Sequence, residues 1–398
     1  MDTIEELLSR GVENIIPGKA QLKKKLHSGK KLNIYLGIDP TSTKIHLGHA
    51  VALRKLQAFA QLGHHVSFLI GDFTALIGDT SDKDTERPVL TSEEIDKNFQ
   101  TYKKQAEKII DFSQVTVVHN STWLKKLTFE EIIKLTQHFS VGDFAGRELI
   151  KKRLSDGKRV GLHEFMYPVM QGYDSYMLDT DLQIGGTDQT FNMQSGRTLQ
   201  KILRQKETFV LTTGILEGND GRKMSKSWSN AIWLDDEPDD IYAKVMAITD
   251  ELIIQYYTLA TNVPLVAIKE AEAALKKGEH PMKIKKELAF EITEELSNLE
   301  SAEKAKAAFE SRVQNKELPT EIPTMAFNAD DHATVVELLV QLKVVESKSE
   351  AKRLIAQGGA IINDKKITDP NTPITSLLKN GEAIIKVGKR HIHKITTK

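Results

Sequence analysis

Short β-type runs that alternate with segments of helical period constrain this chain more than any other feature. Asn33–Ile38 is a β-type run followed by Asp-Pro-Thr-Ser-Thr, after which apolar residues recur at helical spacing from His49 to Leu62 and stop at Gly63. That predicts strand, loop and helix. Val66–Gly71 is a second strand candidate, Thr91-x-x-Glu94 is a capping box opening a helix predicted to reach about Ile110, and Val115–Val118 reads as a third strand. Leu182–Ile184 and Phe209–Leu211 add two more. Strands that alternate with helices need crossovers covering both sheet faces, so the pattern predicts an α/β, Rossmann-like, doubly wound parallel sheet. Residues 121–165 read as a helical insertion between its halves.

From about Glu237 to Phe309 the chain turns rich in Ala, Glu, Lys and Leu with helical period, and Pro319 and Pro323 mark a linker. Four regions are expected: a sheet domain over 1–230, an α-helical domain over 231–318, a linker over 319–332, and a small α+β domain over 333–398. The last contains helices at Ala333–Leu342 and Ser349–Gln357, a turn at Gly358-Gly359 into a strand, and two short strands near Ile384–Val387 and His391–Ile395.

Composition removes several chemistries. The chain has no cysteine, which excludes disulfide scaffolds, zinc ribbons and thiol nucleophiles, and its 12 histidines show no H-E-x-x-H spacing. No resident metal is expected. Met1–Asn14 is acidic and amphipathic, unlike a secretory signal, and no run of eighteen apolar residues occurs, so the expectation is a cytoplasmic protein without a membrane partner. Lysine plus arginine balance aspartate plus glutamate at 55 each, yet residues 331–398 hold 12 basic against 7 acidic side chains. A basic tail on an acidic body points to a polyanionic partner.

Two motifs carry chemistry. His46-Leu47-Gly48-His49 lies where the loop after the first strand enters a helix, and a helix amino terminus offers unpaired N–H groups and a positive dipole end to phosphates. Gly48 lets a planar ring approach the backbone. In the second motif, Lys223-Met224-Ser225-Lys226-Ser227, two lysines three apart follow Gly218, Asp220 and Gly221. Such a loop can close over a polyphosphate, bringing positive charge to where negative charge develops.

The two motifs together resemble those of class I aminoacyl-tRNA synthetases. Tyr35-Leu36-Gly37-Ile38-Asp39-Pro40-Thr41, Gly78-Asp79, Asp84-x-Glu86-Arg87, Tyr167-Pro168-Val169-Met170-Gln171-Gly172-Tyr173-Asp174 and Gly185-Gly186-Thr187-Asp188-Gln189 narrow the resemblance to the tyrosyl-tRNA synthetases. Ser347–Ile355 with Gly358-Gly359 is similar to the RNA-binding domain named after the fourth small-subunit ribosomal protein.

The resemblance implies tyrosine, ATP with Mg²⁺ and tRNA(Tyr) as partners, a homodimer, and an insertion over 121–165 that mediates dimerisation and positions the tRNA acceptor end. It places Tyr35 and Asp174 beside the substrate's phenolic hydroxyl, Asp79, Tyr167 and Gln171 around its ammonium, and Gln189 near its carboxylate. Gly37, Asp39, His46, Gly48, His49, Gly186, Asp188, Lys223 and Lys226 fall to ATP, with Lys83 and Arg87 as further candidates. His46, His49, Lys223 and Lys226 are the catalytic set, acting by positioning and charge rather than as nucleophiles. Lys348, Lys352, Arg353, Lys365, Lys366, Lys389 and Arg390 are candidates for tRNA phosphates. The competing readings are a tryptophanyl-tRNA synthetase, a small-cofactor adenylyltransferase, and a non-catalytic RNA-binding protein on a synthetase scaffold. Tyr35 with Asp174 argues against the first, the basic tail against the second, and the intact motifs against the third.

Overall fold

The computed structural model describes residues 3–78, 91–311, 324–327, 334–342, 344–345, 347–379, 381–387 and 391–397. They form two compact units, Met1–Ala307 and Ala308–Lys398. The first is built on six strands: β1 (Val12–Ile16), β2 (Asn33–Ile38), β3 (His65–Ile70), β4 (Val115–His119), β5 (Leu182–Gly186) and β6 (Phe209–Thr213). Their spatial order is β1-β6-β5-β2-β3-β4, and β2 to β6 pair in parallel. β6 is buried along its whole length and β5 over its first four residues, as expected when helices cover both faces.

The expected parallel sheet is present, and one antiparallel strand, not foreseen in the sequence, is added at its edge. β1 runs antiparallel to β6, with Val12 opposite Thr213 and Ile16 opposite Val210. Among the described residues of the acidic amino terminus, Thr3–Leu7 is helical; the chain turns at Gly11, whose φ is +62°, and enters the strand. A five-residue edge strand with a mixed burial pattern carries almost no alternation to read.

From β2 the chain moves outward through β3 and β4, then crosses back to lay β5 and β6 on the other side of β2. The carboxyl ends of β2 and β5 therefore flank the point where the winding reverses, the usual ligand crevice of such sheets. The helix Leu47–Gln61 leaves β2 there, and Thr190–Arg204 follows β5 after a short turn. The insertion is helical as expected, with Ser121–Leu124, Phe129–Thr136, Val141–Ala145 and Glu148–Ser155 preceding the helix Leu162–Met177. A buried bidentate pair closes it: Arg153 Nη1 is 2.6 Å from Glu164 Oε2 and Nη2 is 3.0 Å from Oε1.

Five helices follow β6, at Pro238–Met246, Ile253–Ala260, Leu265–Lys276, Pro281–Leu296 and Leu299–Phe309. They lie in the same compact unit as the sheet, up to Ala307. Arginines bind them to it: Arg10 donates to the backbone carbonyls of Tyr257, Thr258 and Val263 at the end of the helix Ile253–Ala260, and Arg54 to the Ala260 carbonyl and the Glu295 carboxylate.

The second unit contains β7 (Thr324–Phe327), β8 (Ala360–Ile362), β9 (Lys365–Lys366), β10 (Glu382–Val387) and β11 (His391–Thr397) in the order β7-β11-β10-β8-β9. Two helices, Val335–Gln341 and Lys348–Ala356, bury Val335, Leu338, Leu339, Ala351 and Ile355 in a core shared with Ile362, Ile385 and Ile395. One expectation changes here. Residues 319–332 are not simply a linker, because Thr324–Phe327 pairs in parallel with Lys394–Thr397. Lys365 and Lys366 form β9, joined to β8 through Asn363 and Asp364, whose φ values of 47° and 63° suit a two-residue hairpin. Among the described residues no helix is long and apolar enough to cross a membrane.

Candidate active site

A cavity of about 670 Å³ opens at the carboxyl ends of β2 and β5. Thirteen of the residues expected at the site line it: Tyr35, Gly37, Asp39, His46, Gly48, His49, Tyr167, Gln171, Asp174, Gly186, Asp188, Gln189 and Lys223. Lys226 does not; it opens the turn Lys226–Trp228 and is exposed. Asp79, Lys83 and Arg87 lie outside the described residues.

One end is a buried polar network with fixed donors and acceptors. Asp174 is 2% exposed; its Oδ1 accepts from Trp123 Nε1 at 2.7 Å and its Oδ2 from Asn120 Nδ2 at 3.1 Å. Asn120 cannot be turned over, because its Oδ1 accepts from the Phe73 backbone N–H at 2.9 Å. The same Nδ2 donates to Thr74 Oγ1, which donates to Asp39 Oδ1 at 2.7 Å, while Tyr167 donates to Asp39 Oδ2 at 2.8 Å. Opposite Asp174, the Tyr35 hydroxyl donates to Gln183 Oε1 at 3.0 Å. Burial raises the Asp174 carboxyl to about 8, against the donors Trp123 and Asn120, with the negative charges of Asp39 and Asp72 adding to the rise. Burial, helped by Asp174, pushes the Tyr35 phenol well above its ordinary value.

Sequence reasoning missed Thr74, Asn120, Trp123 and Gln183. Gln183 had a readable signal, a polar side chain between Leu182 and Ile184 in an otherwise apolar strand. Asn120 and Trp123 follow the carboxyl end of β4, but only the strand order brings that end beside the helix of Asp174. Gly71 also belongs to the site: a Cβ there would stand 1.9 Å from Asp39 Oδ1.

The other end joins the two motifs. Leu47 N donates to Ile232 O and Leu234 N to Ile45 O, both at 2.9 Å, so the segment after the lysine loop lies along the entrance to the histidine helix. The loop is held by Asn230, whose Oδ1 accepts from Ser225 N at 2.9 Å and whose Nδ2 donates to Asp220 Oδ1 at 2.7 Å. The His46 and His49 rings lie 3.8 Å apart, and His49 Nδ1 accepts from the His46 backbone N–H at 3.3 Å. The space over Gly48 is taken by His46 itself, whose Nδ1 is 2.9 Å from where a Cβ would stand. That nitrogen is buried and has no hydrogen-bond partner in the structure. Burial, followed by the charges of His49 and Lys223, lowers the His46 imidazole to about 2, so the ring is neutral near pH 7. Lys223 Nζ is 3.4 Å from Asp188 Oδ2. Neutral imidazole, a lysine and a helix amino terminus together suit phosphate oxygens. Among the described residues no group of three or more histidines and carboxylates could hold a metal ion.

In the second unit Lys348, Lys352, Arg353, Lys365 and Lys366 are exposed, with Lys348 2.9 Å from Glu337. Lys366 packs over Gly358, at the end of the helix carrying Lys352 and Arg353. Lys389 and Arg390 lie outside the described residues.

Comparison with known proteins finds relatives along nearly the whole chain. Residues 27–314 match the family model of tRNA synthetases class I (W and Y), and residues 314–395 that of the tyrosine–tRNA ligase SYY-like C-terminal domain. The tyrosine–tRNA ligase of Carboxydothermus hydrogenoformans is 43% identical over 401 residues, covering 98% of this chain and 97% of the relative. That of Thermotoga maritima is 41% identical over 393 residues, covering 98% and 96%. A C-terminally truncated mitochondrial tyrosyl-tRNA synthetase of Coccidioides posadasii superposes with a TM-score of 0.63 at 25% identity, over 77% of this chain and 91% of that one. The tyrosyl-tRNA synthetase of Archaeoglobus fulgidus, solved with L-tyrosine, shares the fold at 23% identity with a TM-score of 0.61, over 77% and 100%.

Proposed function

The chain belongs to the class I tRNA synthetases of the tryptophan and tyrosine group, its activity is that of a tyrosine–tRNA ligase, and we propose that the cavity between β2 and β5 carries both steps of that reaction. One observation supports this most: a single cavity is bounded at one end by Tyr35 and Asp174 and at the other by His46, His49 and Lys223. The first end matches a phenol, which needs one donor and one acceptor in a buried setting. The second matches a triphosphate.

In the first step the carboxylate of tyrosine attacks the α-phosphorus of ATP in line, and pyrophosphate leaves. The nucleophile is already an anion, so the residues position it and stabilise charge. Tyr35 and Asp174 hold the hydroxyl, Tyr167 and Gln171 face the ammonium with Asp79, and Gln189 faces the carboxylate. Tyr167 also bonds Asp39, which connects the ammonium side to the nucleotide side. Gly37, Gly48, Gly186 and Asp188 border the ribose and base. His46 Nδ1, Lys223 and His49 meet the phosphates, with Lys226, Lys83 and Arg87 as further contacts on the leaving pyrophosphate. Mg²⁺ arrives on the ATP phosphates rather than in a protein cage. In the second step the 2′ or 3′ hydroxyl of the terminal tRNA adenosine attacks the tyrosyl carbonyl, and AMP leaves.

The basic residues of the second unit are read as tRNA phosphate contacts. A homodimer is supported by Phe129, Val141 and Leu162, which are 78%, 78% and 81% exposed on the 121–165 insertion of a single chain. The activity is placed in the cytoplasm, where tRNA is charged. Exchange of labelled pyrophosphate into ATP tests the reading: tyrosine alone among tyrosine, phenylalanine and tryptophan should support it, and exchange with none, in folded protein supplied with Mg²⁺, would leave a non-catalytic RNA-binding protein as the better account.

A further inference from the structure

The hydroxyl-reading end of the cavity has a proton polarity that the hydrogen bonds around it determine. Gln183 is 1% exposed on β5, and its Nε2 donates to the Met193 carbonyl oxygen at 2.9 Å. Turning the amide over would set Oε1 against that carbonyl, so Oε1 must face Tyr35. The amide is also held from the side by the helix Thr190–Arg204: a Cβ on Gly196 would stand 2.7 Å from Oε1 and 2.8 Å from Nε2. Tyr35 has one hydroxyl proton, and it lies on Gln183. What Tyr35 offers the cavity is an acceptor.

Asp174 is the second group at this end. If it is ionised it too is only an acceptor, and a substrate phenol with one proton would face two acceptors. One oxygen pair would then meet without a hydrogen, or Tyr35 would have to abandon Gln183 and leave a buried amide oxygen unpaired. A proton on Asp174 removes the conflict: the carboxyl donates to the phenol oxygen, and the phenol donates to Tyr35. Trp123 and Asn120 supply only N–H donors to Asp174, so the remaining proton has nowhere to point except the cavity.

We infer that Gln183 is a positioning residue that turns Tyr35 into an acceptor, so that tyrosine is bound by a protonated Asp174 donating to its hydroxyl. This rests on the reading of Tyr35 and Asp174 as the phenol site. The burial that drives Asp174 toward its neutral form acts in the same direction. The titratable groups that act on Asp174 are Tyr35 and Asp39, from β2 and its following loop; Tyr167, on the helix of Asp174, joins the network through its bond to Asp39. Asp72 follows β3, with His119 Nδ1 3.4 Å from it at the end of β4.

The test is tyrosine affinity, by calorimetry, from about pH 6 to about pH 8.5 in the full-length enzyme, its Gln183→Met variant and its Tyr35→Phe variant. Both substitutions remove the fixed acceptor, one by freeing the Tyr35 proton for the substrate and the other by deleting the hydroxyl. The ratio of wild-type to variant affinity cancels the titration of the substrate's own ammonium and of any group that acts equally in the proteins compared. The expected result is a ratio that falls at least about fourfold over this range, as Asp174 loses its proton and the wild type loses its donor. If Gln183→Met does not fold, Tyr35→Phe gives the same comparison. A ratio that is flat or rises with pH overturns the inference while leaving the phenol site intact, provided phenylalanine is still rejected. Phenylalanine binding as tightly as tyrosine to the wild type would instead remove the phenol site on which the inference rests.

Discussion

Trp123 gives its indole N–H to Asp174 Oδ1 at 2.7 Å, although one residue belongs to a short helix after β4 and the other to the helix Leu162–Met177. The bond fixes one carboxyl oxygen and leaves the group aimed into the cavity. Trp123→Phe keeps an aromatic ring of similar shape and deletes the donor. Losing one partner of a buried carboxyl costs about 1–3 kcal/mol, so KM for tyrosine should rise roughly five- to 150-fold. KM for ATP should stay within about twofold, because His46 and Lys223 do not touch this network. Steady-state exchange kinetics decide the matter, and an equal rise in both constants would contradict the assignment.

The raised Asp174 carboxyl also ties stability to pH in the protein without substrate. In the folded protein it titrates at about 8, against 3.8 for an ordinary aspartate, so the folded state holds this proton more tightly than the unfolded state. Its stabilising contribution is complete below the unfolded value and is lost as pH rises through the folded one. Between about pH 5 and pH 8 the group alone contributes a slope of roughly 1.4 kcal/mol per pH unit. Asp174→Asn has no such proton, so its denaturation midpoint should fall less over that window. Wild type and variant sliding in parallel would show that the carboxyl is ionised in the folded protein.

Lys223 stands beside Asp188 and close enough to His46 to depress its imidazole, so its charge belongs to the phosphate end. If it stabilises charge that develops only as pyrophosphate leaves, Lys223→Met should lower kcat about 10²- to 10³-fold. Tyrosine affinity, set at the far end, should be unchanged. A variant that instead raised KM for ATP at constant kcat would mark Lys223 as a ground-state contact.

Much of this architecture was legible because its signals are local. Asn33–Ile38 occurs as a strand at the residues predicted, and Thr91 with Glu94 forms the capping box that opens the helix Ser92–Ala106. Many of the motif residues fall together because they lie in β2, in β5 or just beyond these strands, where a parallel sheet collects its ligands, while Tyr167, Gln171 and Asp174 reach the same cavity from the helix Leu162–Met177. What could not be read depends on pairing across distance. β1 is recognisable only once β6 lies beside it, and Thr324–Phe327 only against Lys394–Thr397. The partners of Asp174 are of the same kind: Asn120 and Trp123 are ordinary in sequence and become site residues through the order β5-β2-β3-β4.

The exposed basic residues of the second unit give a prediction about salt rather than about turnover. Lys352 and Arg353 extend from the helix Lys348–Ala356 into solvent, and Lys366 packs at its end over Gly358. Each phosphate contact releases condensed counterions, so removing two cations should shallow the slope of log affinity for tRNA against log salt by roughly 1.5 to 2. Lys352→Ala with Arg353→Ala should therefore weaken tRNA binding most at low salt and little at high salt. Pyrophosphate exchange, which needs no tRNA, should be unchanged. A loss of tRNA affinity with an unaltered salt slope would mean that the two side chains support the domain's shape rather than meet phosphate, and the thermal midpoint of the variant would then fall as well.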